Sequence, residues 1–184
     1  MQIIFLSDVG TVVMDVLAWI FFHLSIGYYC SRIPVSRFNA QRPFYLSKRW
    51  EKEGEIYQKL FRVKSWKKFI PSGASLYANT FKIRNLPCYS REYLERWLKE
   101  SCRAEFCHWM MILPGFLFFL WNSAQIGWWM VVYAVANNLV PIITQRYNRP
   151  RIRKLLNHIR EKSSQAFDID VQFELPQTLS NFYQ

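Results

Sequence analysis

Three apolar runs constrain this chain more than any other feature: Val9 to Cys30, Phe106 to Trp121 and Ile126 to Ile143, set in 184 residues that carry a formal net charge of +11. A bilayer core takes about 20 apolar residues of helix to cross. The first run, VGTVVMDVLAWIFFHLSIGYYC, has that length. No basic segment precedes it and no small-x-small cleavage site follows, so it predicts a retained membrane helix and not a secretory signal. Its two polar groups, Asp15 and His23, fit packing roles or a proton partner.

The second and third runs are separated only by Asn122-Ser123-Ala124-Gln125. A link that short makes the two helices antiparallel neighbours. Trp121, Trp128 and Trp129 flank it, and indoles favour the head-group level, which predicts a hairpin tip at the far interface. A buried hairpin of a soluble protein is the competing reading of runs this short. The expectation is an all-α integral membrane protein forming a single domain over 1–184, with three transmembrane helices at 9–30, 106–121 and 126–143.

Charge orients that arrangement. Lys and Arg are dense in 31–105 and again from Arg146 to Lys162, whereas the stub before the first helix and the hairpin link have none. The bias toward cytoplasmic cations predicts a multi-pass protein of the cell membrane with its N-terminus outside and both basic regions, 31–105 and 144–184, in the cytoplasm. Within the large loop, Leu46, Trp50, Tyr57, Leu60 and Phe61 recur at helical spacings while Lys48, Arg49, Lys52 and Lys59 fall on other faces. That pattern predicts a basic amphipathic helix lying against anionic lipid or packed on a small protein core. PSGAS at 71–75 marks a turn.

Several classes are disfavoured. Cys30, Cys88, Cys102 and Cys107 show no paired spacing, so four free thiols and no metal site are expected. Basic residues interleaved with aromatics can bind nucleic acid, but no recognised nucleic-acid motif accompanies them here. No serine elbow or glycine-rich phosphate loop is present.

The chemistry-bearing residues gather at the membrane boundary. ESCRAEFCHWMMILPG, residues 100–115, passes from a charged helix surface into an apolar run, and Glu105 and His108 share one helix face at that transition. Ionisable groups at such a depth are costly and point to function. A carboxylate that fixes the imidazole tautomer leaves the other ring nitrogen free as a general base on a hydroxyl. A Glu and His satisfied by the helix bundle or by lipid phosphates is the structural alternative. Across the hairpin, NNLVPIITQRYNRPRIRKLL supplies Asn137 and Asn138 inside the third run, then Gln145, Arg146, Tyr147, Asn148, Arg149 and Arg151 at its exit. Guanidinium groups suit a nucleotide diphosphate, coenzyme A or a lipid head group; they are also what any cytoplasmic flank carries.

SRIP at 31–34, WEKEGEIYQKLFRVKSWKKFIPSGA at 50–74, ESCRAEFCHWMMILPG and YAVANNLVPIITQRYNRPR at 133–151 together resemble the glycosyl-4,4'-diaponeurosporenoate acyltransferase family. Its members are bacterial membrane enzymes that complete the carotenoid staphyloxanthin by esterifying the glucose 6-hydroxyl of a carotenoid glycoside with a fatty acyl chain. The resemblance covers about Ser31 to Leu156. It departs at Ser72-Gly73, where the family is expected to read Asp-Gly, and in an acidic, apolar extension over 163–184. It implies that Glu51, Gly54, Trp66, Lys67, Gly73, Arg103, Glu105, His108, Trp109, Gln145, Arg146, Tyr147, Asn148, Arg149 and Arg151 occupy motif positions.

The expected enzyme uses His108 as base with Glu105 orienting it. The expected substrate-binding set is Glu51, Trp66, Arg103, Trp109, Asn138, Gln145, Arg146, Tyr147, Asn148, Arg149 and Arg151. It needs no bound cofactor; acyl-CoA or another activated acyl donor enters as co-substrate, and its partners are membrane lipids and a lipid-like glycoside acceptor. A non-catalytic adaptor that gathers anionic lipid or a partner protein, and another lipid-modifying transferase, are the alternatives.

Overall fold

A computed structural model describes residues 2–70, 81, 83 and 89–180, with side chains through 164. The expected turn at Pro71 to Ser75, Gly73 within it, and Cys88 lie outside the described residues, as do the side chains of the extension past 164. Among the described residues every regular element is helical: α1 (Asp8–Arg32), α2 (Glu55–Phe61), α3 (Val63–Trp66), α4 (Arg91–Ile112) and α5 (Ala124–Ser180), joined by short 3-10 segments.

Among the described residues two helices are long and apolar enough to cross a membrane, α1 and the Ala124–Ser164 part of α5. In α1 the Ser7 side chain caps the first turn by accepting from the Gly10 N–H, Asp8 opens the helix and Arg32 closes it, each charge complementing the helix dipole. Its apolar residues are bare to the surroundings, with Leu17 57% and Phe21 64% exposed. Trp128, Trp129, Val132, Leu139 and Val140 of α5 are exposed in the same way. A soluble protein rarely presents so extensive an apolar surface, whereas a bilayer covers it.

The second apolar run differs from expectation. Its α-helix ends at Ile112, and Leu113–Leu120 continues as a 3-10 helix with Pro114 in its first turn. Proline there withholds an N–H and favours the tighter winding. The looser pitch has a geometric consequence, because seven α and eight 3-10 residues together rise about 26 Å. Close packing against α5 comes from small residues: a Cβ on Gly115 would stand 3.0 Å from that of Ala134, and one on Gly127 would meet the Phe119 ring at 2.5 Å.

At the hairpin tip, Asp15 of α1 is buried and accepts from Trp121 Nε1 at 2.7 Å and Asn122 Nδ2 at 2.8 Å. Trp19, one turn further along α1, stacks on Phe118 with ring centroids 4.5 Å apart. These contacts tie the N-terminal helix to the hairpin. Asp15→Leu, which strands both donors, is expected to lower stability by about 1–3 kcal/mol; Asp15→Asn, which keeps an acceptor, should cost less. Thermal unfolding of the two variants in detergent reads the difference, and equal melting temperatures would refute the latch.

The continuous amphipathic helix expected over Leu46 to Phe61 is broken. Arg49–Gly54 is a 3-10 turn and only Glu55–Phe61 is α-helical, because Lys52, Glu53 and Gly54 take φ of 45°, 54° and 86°. Left-handed backbone suits glycine and strains the other two by roughly 1–3 kcal/mol each. The surroundings hold it there. Pro150 deprives the Arg146 carbonyl of its helical donor, and Gly54 packs against that stretch of α5: a Cβ would lie 3.1–3.2 Å from the Tyr147 and Arg146 carbonyl oxygens.

α4 and α5 continue side by side beyond the apolar runs and make a core of their own. Leu94, Trp97, Leu98 and Cys102 of α4 pack with Ile152 and Leu156 of α5 under Phe38, Ala40 and Tyr45 of the loop. Ser90 caps α4 by accepting from the Tyr93 N–H. The change from apolar to charged surface therefore falls within continuous helices, which fixes the spacing of the side chains on either side of it.

Candidate active site

Glu105 stands where α4 enters its apolar run, fully buried, between two guanidinium groups of α5. Arg146 Nε donates to its Oε1 at 2.8 Å, and Arg149 Nη2 lies 2.7 Å from Oε2 as an ion-pair contact without the geometry of a linear hydrogen bond. Trp109 Nε1 also reaches Oε1, at 3.3 Å. Spacing explains the meeting, since Glu105 and Trp109 are one turn apart on α4 while Arg146 and Arg149 are three apart on the facing surface of α5.

A second carboxylate completes the cluster. Glu51, 1% exposed, accepts from Arg146 Nη1 at 2.9 Å, from the Lys48 N–H at 2.6 Å and from the Tyr57 hydroxyl. The strained turn at Lys52 to Gly54 follows directly and presses this segment onto α5. Two carboxylates and two guanidiniums leave the buried cluster near neutrality. Further donors go to the loop and α4: Arg146 Nη2 reaches Phe44 O at 3.1 Å, Arg149 Nη1 reaches Tyr45 O at 3.1 Å, and Arg149 also binds Ser101 through its hydroxyl and carbonyl.

Burial would push the Glu51 carboxyl up, but Tyr57, the Lys48 N–H and Arg146 outweigh it, so the group sits below the ordinary carboxylate range. Burial likewise opposes the Arg146 charge, and Glu105 and Glu51 more than restore it. Because the folded Glu51 pKa is depressed, its contribution is present above the unfolded value near 4.5 and is lost as pH falls through the folded value. Acid unfolding profiles should therefore be shallower below pH 4.5 in Glu51→Gln than in the parent protein, and parallel profiles would contradict this.

His108 does not pair with Glu105 as expected. Its Nδ1 lies 2.9 Å from Asn138 Oδ1, and the Asn138 amide nitrogen donates to the Ala134 carbonyl at 2.9 Å. With that amide orientation, Nδ1–H donates and Nε2 keeps its lone pair. The role anticipated for a carboxylate is thus filled by a buried amide from the opposite arm of the hairpin. His23 of α1 contacts the Trp19 carbonyl through its Nδ1 at 2.9 Å.

The other expected residues divide by place. Arg103 donates to the Ser31 and Ile33 carbonyls and pairs with Glu100 at 2.6 Å, which closes the free end of α1. Tyr147 is buried among Tyr57, Val63 and Ile143, with Arg151 over its ring at 3.6 Å and Lys67 at 5.1 Å. Lys67 binds Asn148 Oδ1 at 2.9 Å, and Trp66 donates to the Phe61 carbonyl. The Gln145 amide oxygen and the Tyr147 hydroxyl are buried without a hydrogen-bond partner. Tyr57 and Ser101 were not anticipated as partners of the cluster; a tyrosine on the apolar stripe six residues after Glu51 was the available signal for the first.

A family model described as glycosyl-4,4'-diaponeurosporenoate acyltransferase matches residues 41–158, which include Glu51, Glu105, His108, Asn138, Arg146 and Arg149. The protein of that name from Staphylococcus aureus (strain N315) is 33% identical over 144 residues, 78% of this chain and 87% of the relative. That of Staphylococcus haemolyticus (strain JCSC1435) is 34% identical over 134 residues, 73% of this chain and 78% of the relative. No solved structure matches the chain. With a matched span that holds both the buried ion cluster and the His108–Asn138 pair, the chain belongs to the glycosyl-4,4'-diaponeurosporenoate acyltransferase family and is an acyltransferase.

Proposed function

We propose that this protein esterifies a sugar hydroxyl of a carotenoid glycoside, the glucose 6-hydroxyl, with a fatty acyl chain taken from an activated donor. One observation supports the mechanism above the others: His108 Nδ1 is held by Asn138, which leaves Nε2 as the base. Nε2 takes the proton of the acceptor hydroxyl as its oxygen attacks the acyl carbonyl. The new C–O ester bond forms, the bond to the donor's leaving group breaks, and the imidazolium returns its proton to that group. Asn138 positions the ring. Arg146 and Arg149 are engaged by carboxylates and carbonyls, so their role is to lock α4, α5 and the loop around the site rather than to clasp free phosphate.

The protein acts at the cytoplasmic leaflet. The reading adds a third crossing to α1 and α5: the Phe106 to Leu120 arm, about 26 Å long with its 3-10 half, approaches the thickness of the bilayer core. Its outward residues Leu113, Phe116, Leu117 and Leu120 are exposed and extend the apolar belt. The three arms shelter two long chains while the sugar stays at the polar boundary.

Mass spectrometry of pigments from a host that makes the glycosylated carotenoid tests this directly. Expression of the protein should convert the glycoside to a species heavier by one fatty acyl group. Accumulation of unacylated glycoside beside abundant folded protein would sink the reading. Labelling of cysteines placed in the hairpin link and in the tail from outside intact cells should modify only the former if the hairpin spans.

A further inference from the structure

A cavity of about 370 Å³ opens on the basic side of the ion cluster, between the strained loop and α5. Lys48, Arg49, Lys52, Arg153 and Lys154 line it against a single carboxylate, Glu53, which pairs with Lys154. The volume suits a small-molecule ligand. Two of its lining groups are unsatisfied: Ser47 Oγ and Arg153 Nε are buried without a hydrogen-bond partner. Arg49 and Lys52 make no ion pair among the described residues. Cations gathered around orphaned donors form a site for an anion with several oxygens.

Depth identifies the anion's source. Lys154 lies 11 residues beyond Ile143, the end of the apolar run, so α5 carries it roughly 16 Å past that point. The head-group layer accounts for only about 5–8 Å on each side of a bilayer core. A soluble polyphosphate reaches this position more readily than a lipid head group. Along α5, Arg153 is 15 residues from Asn138, about 22 Å. An extended pantetheine arm covers a comparable length. Ser47, Pro150 and Arg153 also line the closed crevice over Arg146 and Arg149, so the cavity adjoins the buried ion cluster and the arm's course lies along the outside of α5.

The geometry points to a donor site: the cavity bounded by Lys48, Arg49, Lys52, Arg153 and Lys154 holds the nucleotide phosphates of a coenzyme A thioester, with the pantetheine arm running along α5 to present the acyl carbonyl at His108. This rests on the acyltransferase reading and names its donor. Lys52 gives an unusually clean probe, because its φ of 45° means that Lys52→Gly removes the charge while relaxing the backbone.

The test is calorimetric titration of coenzyme A into the purified protein in phosphatidylcholine nanodiscs. Saturable binding should weaken about tenfold or more in Arg49→Gln/Lys52→Gly, the scale of losing one charge-assisted hydrogen bond. Lys59→Gln, outside the cavity, should bind like the parent protein. Absence of binding by the parent, an unchanged Kd in the double variant, or equal weakening in Lys59→Gln would overturn the site. Loss of coenzyme A binding in phosphatidylglycerol nanodiscs, restored by the double substitution, would assign the cavity to lipid head groups and also overturn it. The two readings fail separately: transfer from fatty acyl-CoA with an unchanged KM in the double variant refutes this cavity alone, whereas normal coenzyme A binding without acyl transfer to the glycoside refutes the proposed reaction alone.

Discussion

His108→Ala is expected to slow acyl transfer by about two to four orders of magnitude, the usual effect of removing a positioned base, while leaving the protein folded. The second half of that statement follows from the surroundings. His108 is only half-buried and its hydrogen bond runs to Asn138, so its loss leaves one buried amide oxygen unpaired, a cost of about 1–3 kcal/mol against a typical total stability of about 5–15 kcal/mol. Asn138→Leu provides the positioning control. It leaves the imidazole present but unheld, so kcat should fall by less than in His108→Ala, and a histidine-dependent limb of the pH–rate profile should persist. A pH profile for His108→Ala that keeps that limb would remove His108 from the base role.

Glu105→Ala should act on a different property. It leaves buried Arg149 without a carboxylate and Arg146 with Glu51 alone, and breaking a buried ion pair from one side costs about 3–5 kcal/mol. Set against a typical total stability of about 5–15 kcal/mol, that is enough to deplete folded protein. Glu105→Gln retains an acceptor for Arg146 and should fall between. Thermal unfolding in detergent checks the order, Ala least stable, Gln intermediate. If Glu105→Ala unfolds like the parent yet abolishes transfer, the carboxylate belongs to the chemistry and the division of labour drawn here is wrong.

That division was only partly readable in the chain. Helix type was, because apolar period and capping residues act locally: Ser90 and the stripe from Leu94 through Ile112 describe α4 as one continuous helix, as observed. Glu105 and His108 stood out by their cost on an apolar helix face, and Arg146 and Arg149 as guanidinium groups at the exit of the third apolar run. Their pairing was not readable. Glu105 and His108 share a face, yet partners on α5 win both, since Arg146 and Arg149 offer Glu105 opposite charge and Asn138 reaches Nδ1 across the hairpin. Which side chains meet across two helices depends on rotation and register, and these are tertiary quantities.

The loop misled for another reason. Its period through Tyr57, Leu60 and Phe61 is helical, but the close approach of Gly54 to α5 imposes left-handed backbone on Lys52 and Glu53, overriding local preference. The same turn carries Glu51 into the cluster and opens the cationic cavity. Cations at Lys48, Arg49 and Lys52 read in the chain as facing anionic lipid or as the outer face of a helix on a small core; in the fold they line one cavity with Arg153 and Lys154 of α5. The 3-10 winding after Ile112 had its signal in Pro114, but its length compensation appears only in three dimensions.

The central claim is that this fold joins an acyl chain to a sugar hydroxyl with a single histidine as base. Reconstituted protein in lipid nanodiscs, given the glycosylated carotenoid and a fatty acyl-CoA, addresses it most directly, with the product resolved by mass and its ester position by NMR. The predicted result is a monoester at the glucose 6-hydroxyl, formed by the parent protein and nearly absent with His108→Ala at equal folded protein. Ester formed at parent rates by His108→Ala, or none formed by folded parent protein that binds the donor, would contradict it.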